Sequence, residues 1–214
     1  MADSLTGASG LGALTVHDFL ERLASGDPTP GGGGAAALGG ALGAALVSMV
    51  CNLTLGREKY AAHEAEVGAI RAEADALRAR LERGIDEDAA AYDGVMAAYR
   101  LPRATDDEKA ARTAAIQAAT YEAALAPLAL AEASARVIDL ADQAVGKTNP
   151  NAASDLAVAA LLGSAAVDSA AANVEINLAT LKDETRRTDL GQRLAAARDG
   201  RRSQADSVVR RTQA

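Results

Sequence analysis

From Pro28 to Gly56 the chain carries no charged residue, and the stretch opens with Pro28-Thr29-Pro30-Gly31-Gly32-Gly33-Gly34 before running into AAALGGALGAALVSMVCNLTL. Any fold must bury this run. Two prolines fix the backbone on entry, and the glycines let it turn tightly or lie close to another group before an Ala-rich helix begins. A glycine loop that feeds a helix N-terminus converges free N–H groups and the helix dipole, which is an anion site. The same glycines also serve simple close packing of helices. Gly39 and Gly43 lie one turn apart and Ala36, Gly40 and Ala44 form a second small row, so this helix belongs at the centre of a bundle or on a subunit seam.

The rest of the chain agrees with a helical reading. Alanine dominates, aromatic residues make up 2% of the chain, tryptophan is absent, and no strand-like alternation persists. An all-α fold follows, a bundle of long antiparallel helices in a single domain over residues 15–210, preceded by a loose tail over 1–14. Thr15 with Asp18 opens a short helix whose apolar stripe is Val16, Phe19, Leu20 and Leu23. Val67, Ile70, Ala74, Leu77 and Leu81 mark the inner face of a helix over 61–100, with Gly84 as a possible bend. Thr105 with Glu108 is a capping-box start for the next helix, which Pro127 should kink or split before it ends near Gly146. Asn149 caps a turn that holds Pro150 in its first position.

Charge excludes some functions. At a net charge of −7, with almost no aromatic side chains for base stacking, the chain is no general nucleic-acid binder. The arginines from Arg186 to Arg211 are interleaved with acids and read as solvated helix. The apolar run is long enough to span a bilayer, yet its glycine and alanine content makes a buried core helix the better reading, with no membrane partner. The N-terminus lacks the pattern of a signal peptide, which points to the cytoplasm. One cysteine, Cys51, sits in the apolar run and reads as a small buried hydrophobe.

Three polar features stand out. Lys59 and Tyr60 follow the apolar helix where charge returns. Asp88 borders the apolar stripe of Ile85, Ala89, Tyr92 and Met96, where burial would raise its pKa. Asn151, Asp155, Asn173 and Asn177 fall within one narrow arc of a nearly uncharged helix, with Asp155 and Asn173 roughly 27 Å apart along it. One small ligand cannot touch both ends. Either two sites exist, or the far pair serves packing and a dimer contact.

PTPGGGGAAALGGALGAALVSMVCNLTLGREKY, DEDAAAYDGVMAAYRLPR, NPNAASDLAVAALL and NVEINL together resemble the cyclodeaminase/cyclohydrolase family, in order and spacing, from Leu14 to about Asp183. The resemblance implies a helical homodimer joined through helix faces that acts on a tetrahydrofolate one-carbon adduct, with no metal and no cofactor beyond that substrate. It marks Gly31, Gly32 and Gly33, Lys59 and Tyr60, Asp88, and Asn149, Asn151 and Asp155. Asp155 or Asp88 is then the acid/base, Lys59 an anion contact, and Asn149 and Asn151 orient the pterin or its one-carbon group. Two departures, Glu58 and Glu175, remove positive charge. The implied activity is hydrolysis of 5,10-methenyltetrahydrofolate to 10-formyltetrahydrofolate. The alternatives are cyclodeamination of formimidoyltetrahydrofolate and a non-catalytic folate-binding dimer.

Overall fold

Four of the helices are long enough, and apolar on enough sides, to build a bundle by themselves. The computed structural model describes residues 10–213. After a short turn at Leu11–Ala13 come α1 (Val16–Leu23), α2 (Gly32–Asn52), α3 (Glu64–Tyr99), α4 (Asp106–Ala144), α5 (Ala153–Thr180), α6 (Glu184–Arg198) and α7 (Arg201–Thr212). No strand occurs among the described residues. Residues 1–9 of the expected tail lie outside them. The remainder of that segment is held, because the Leu11 N–H donates to Asp86 Oδ1 at 2.5 Å.

Helices α2 to α5 run alternately up and down around a common core. Ser48 on α2 donates to Asp75 on α3 at 2.6 Å, and Arg136 on α4 clasps Glu73 on α3 through two bonds of 2.6 and 2.8 Å. The clasp holds the Glu73 carboxyl below its ordinary value. Small residues set the spacing of α5 against α2 and α4. A methyl group on Gly43 would lie 3.0 Å from the Ala159 carbonyl oxygen, and one on Gly163 would lie 2.8 Å from Ile138 Cγ1. Ala36, Gly40, Gly43 and Ala44 are all buried, so the small-residue rows do bring backbones together. Both α2 and the segment Pro150–Thr180 have membrane-spanning length and hydropathy. Their small-residue faces pack on each other and on α3 and α4. Cys51 is fully buried, and burial pushes its thiol up to about 11.

Three local expectations change. The glycine run is largely helix, since α2 begins at Gly32 and only Gly31 remains as its cap. Helix α3 passes Gly84 and α4 passes Pro127 without a break. Proline leaves the carbonyl four residues earlier without its helical donor, and here Asn177 Nδ2 supplies one to Ala123 O at 3.0 Å. The C-terminal arginines, finally, are not merely solvated. They form two helices divided at Gly200, which has a positive φ of 67°. Buried Leu190, Leu194, Ala205 and Val208 dock these helices, while Arg193, Arg198 and Arg202 reach Glu132, Asp168 and Glu175 on α4 and α5.

Candidate active site

The first turn of α2 holds its anion, and the anion belongs to the protein. Asp88 projects from α3 onto this turn, where the Gly34 N–H donates to its carboxylate. A Cβ on Gly33 would fall 2.0 Å from Asp88 Oδ1, so the carboxyl group occupies the space that any side chain there would need. The Asp88 carboxyl group thus lies against the N-terminal turn of α2, where the helix dipole favours a negative charge. Burial raises the Asp88 pKa above its ordinary 3.8, and the Gly34 bond only partly opposes this.

A cavity of about 370 Å³ opens beside Asp88 and is lined by Gly31, Gly32, Gly33, Asn173 and Asn177 among others. The two asparagines commit their amide nitrogens. Asn173 Nδ2 donates to Ser169 O at 2.9 Å, and Asn177 Nδ2 donates to Ala123 O and to Asn173 O, each at 3.0 Å. Their side-chain carbonyl oxygens have no donor among the described residues. A half-buried carboxyl group and two amide oxygens make an acceptor-rich pocket with no lysine or arginine in its described lining. It suits a ligand rich in N–H groups or carrying positive charge.

Lys59, Tyr60 and Asn149 lie elsewhere. Gly32 and Asn52 bound α2, whose length at 1.5 Å per residue separates this second cluster from Asp88 by about 30 Å. Lys59 and Tyr60 sit on a 3₁₀ turn, Glu58–His63. Tyr60 Oη donates to Asn149 Oδ1 at 3.3 Å, which also accepts from the Asn151 N–H at 3.1 Å. The Asn149 N–H in turn donates to Thr54 Oγ1 at 2.9 Å. Lys59 Nζ stands 5.3 Å from the centre of the Tyr60 ring. Of these, Lys59 and Tyr60 line a cavity of about 530 Å³ that also takes in Lys147 and Arg211, while Asn149 and Asn151 are not in its lining. Lys147 pairs with Glu66 and Arg211 with Asp142, and among the described residues Lys59 has no carboxylate partner.

The residues marked by the sequence thus fall into two groups. Gly31, Gly32 and Gly33 join Asp88; Lys59, Tyr60, Asn149 and Asn151 gather at the other end of α2. Asp155 is half-buried in the first turn of α5 and lines neither cavity. Asn173 and Asn177 are the residues that sequence reasoning left out of the site, although their shared arc with Asn151 and Asp155 was visible. A wider cleft of about 740 Å³ between α5 and α6 contains none of the candidates. Glu175 on its wall pairs with Arg198 at 3.3 Å.

A family model described as formiminotransferase-cyclodeaminase matches residues 15–196. The chain is similar to methenyltetrahydrofolate cyclohydrolase of Methylorubrum extorquens, at 50% identity over 172 residues that cover 80% of this chain and 83% of the relative. It is also similar to formimidoyltransferase-cyclodeaminase of Sus scrofa, at 33% identity over 93% of this chain but 37% of that longer protein. Among solved structures, the crystal structure of formiminotetrahydrofolate cyclodeaminase from Thermotoga maritima superposes with a TM-score of 0.79 at 28% identity, over 94% of both chains. By its sequence and by its bundle, the chain belongs to the formiminotransferase-cyclodeaminase family.

Proposed function

We propose that this protein is a methenyltetrahydrofolate cyclohydrolase, converting 5,10-methenyltetrahydrofolate and water to 10-formyltetrahydrofolate and a proton. The observation that carries the reading is the half-buried Asp88 carboxyl on the glycine turn, facing an acceptor-lined cavity. A cationic amidinium carbon with a pterin behind it matches that lining. The identity shared with the cyclohydrolase of Methylorubrum extorquens, over most of both chains, supports this reaction over deamination.

The chemistry needs one group that takes and returns a proton. Water adds to the methenyl carbon and gives a proton to the Asp88 carboxylate, leaving a hydroxyl on a tetrahedral carbon between N5 and N10. The carbon–N5 bond then breaks, N5 takes the proton held by Asp88, and the hydroxyl proton leaves to solvent as the N10-formyl carbonyl forms. Burial, by raising the Asp88 pKa, makes its carboxylate a better proton acceptor than that of an exposed aspartate. Asn173 and Asn177 offer carbonyl oxygens to pterin N–H groups, and no group besides the folate enters the scheme.

The cyclodeaminase reaction passes through the same tetrahedral carbon, with ammonia leaving in place of N5, and the Thermotoga maritima relative favours keeping it as the second reading. Loss of methenyltetrahydrofolate absorbance above the spontaneous rate establishes the hydrolysis. Methenyl product formed from formimidoyltetrahydrofolate, without acceleration of hydrolysis, would replace it with deamination. A homodimer is part of the proposal: the uncharged α2 and the largely apolar α5 expose Leu42, Met49, Val158 and Leu161 along one side of the bundle.

A further inference from the structure

Pro127 lies in the interior of α4, where proline is strongly disfavoured, and it is both buried and part of the Asp88 cavity lining. It leaves an acceptor behind, because the Ala123 carbonyl then has no N–H on its own helix. Asn177 fills that place from α5, its Nδ2 donating to Ala123 O and to Asn173 O at 3.0 Å each.

These two partners decide which way round the amide sits. A half turn of a side-chain amide exchanges its oxygen and its nitrogen, and the neighbouring donors and acceptors select between the two. Both neighbours here are carbonyls, which only accept, so the nitrogen is turned toward them and the oxygen away. Ala123 has the stronger hold. The Asn173 carbonyl belongs to the same helix as Asn177 and already meets a backbone N–H there, whereas the Ala123 carbonyl would otherwise lack a donor. Asn177 lines the cavity, and its oxygen has no donor among the described residues. Reversed, the amide would offer the cavity two N–H groups in place of an acceptor. That would oppose a ligand whose own groups are donors, such as the 2-amino and N3–H edge of a pterin.

Resting on the folate reading above, we propose that Pro127 is a positioning residue for substrate selection. By withholding an N–H from Ala123, it fixes the Asn177 amide with its oxygen toward the cavity, and that oxygen accepts from the 2-amino and N3–H edge of the pterin. Asp88 is left to work at the one-carbon bridge. Pro127 acts through Asn177 and takes no part in the proton transfers.

Two variants of the full chain restore the missing N–H: Pro127→Ala, and Pro127→Val, which keeps more of the apolar volume. Both relieve a helix of its internal proline, so the fold should persist by circular dichroism, and either variant suffices for the test. Hydrogen exchange of the Asn177 side-chain amide, assigned by its absence in Asn177→Ala, reads the hold on the amide. It should become about tenfold faster in the variants. Equilibrium binding of 5-formyltetrahydrofolate and of its 2-desamino-2-methyl analogue, which lacks the amino donor, reads selection. The wild type should prefer the amino compound by about tenfold, and the variants should lose most of that preference. The ratio is decisive, because lost contacts with the proline ring would weaken both ligands alike. Unchanged amide exchange in a folded variant overturns the inference, as does faster exchange with the preference intact. A wild type that binds both compounds equally overturns the assignment of the pterin edge. If the wild type binds neither, the folate reading itself fails and the choice of ligand falls with it, while the exchange rates still decide whether Pro127 sets the amide.

Discussion

Asp88 is pulled in two directions: burial disfavours its charge and the Gly34 N–H favours it, with burial the larger effect. The native state then binds a proton more readily than the unfolded chain. This contribution to stability is fully present below the ordinary value of 3.8 and is lost as pH rises through the raised native value. Asp88→Asn removes the buried charge, so at pH 7 the variant should melt at a higher temperature than the wild type, with the gap closing as pH falls below 4. Thermal unfolding across pH checks this, and turnover should drop by about a hundredfold in the same variant. A functional carboxylate held at some cost to stability has this signature. Gly33→Ala would drive a methyl group into the Asp88 carboxyl, and displacing it should lower turnover more than tenfold at an overpacking cost of about 1–3 kcal/mol. The glycines and Asp88 were legible in the sequence as separate features. That Asp88 is the anion on the glycine turn was not, because the two are far apart in the chain and meet only where α3 crosses the start of α2.

Helix starts were readable because capping is local. Thr15 and Thr105 cap α1 and α4 as their neighbours require, and Asn149 caps the turn before α5. Pro127 was read as a kink or a split, and α4 continues through it unsplit. The freed Ala123 carbonyl finds Asn177 across the groove, a partner that no local rule supplies. Asn177→Ala should therefore destabilise the protein by about 1–3 kcal/mol by leaving that carbonyl unpaired. In a Pro127→Ala background the helix provides its own N–H, and the same change should cost much less. A double-mutant cycle in denaturant measures the coupling. The polar arc on α5 thus has a structural duty at its far end, and the side-chain oxygens left over face the cavity.

For the molecule as a whole, the C-terminal helices show which interactions matter. Their arginines pair with acids on α4 and α5, but these pairs are largely exposed, and each should contribute about 0–1 kcal/mol. Leu190 is fully buried, and Leu190→Ala should cost about 2–5 kcal/mol, clearly more than Arg193→Ala in the same unfolding assay. Assembly through the α2/α5 face would make the melting temperature rise with protein concentration, and Leu161→Arg should abolish that dependence while the far-ultraviolet circular dichroism stays helical. The sequence by itself determined the all-helical class, most helix boundaries, the central place of the small-residue helix and the family, because propensity, capping and hydrophobic period act over a few residues. Only the tertiary structure decided that Asp88 fills the start of α2, that Asn173 and Asn177 stand with it, and that Lys59, Tyr60 and Asn149 do not. Those facts depend on which ends of long antiparallel helices come level with one another, and packing across the bundle sets that level.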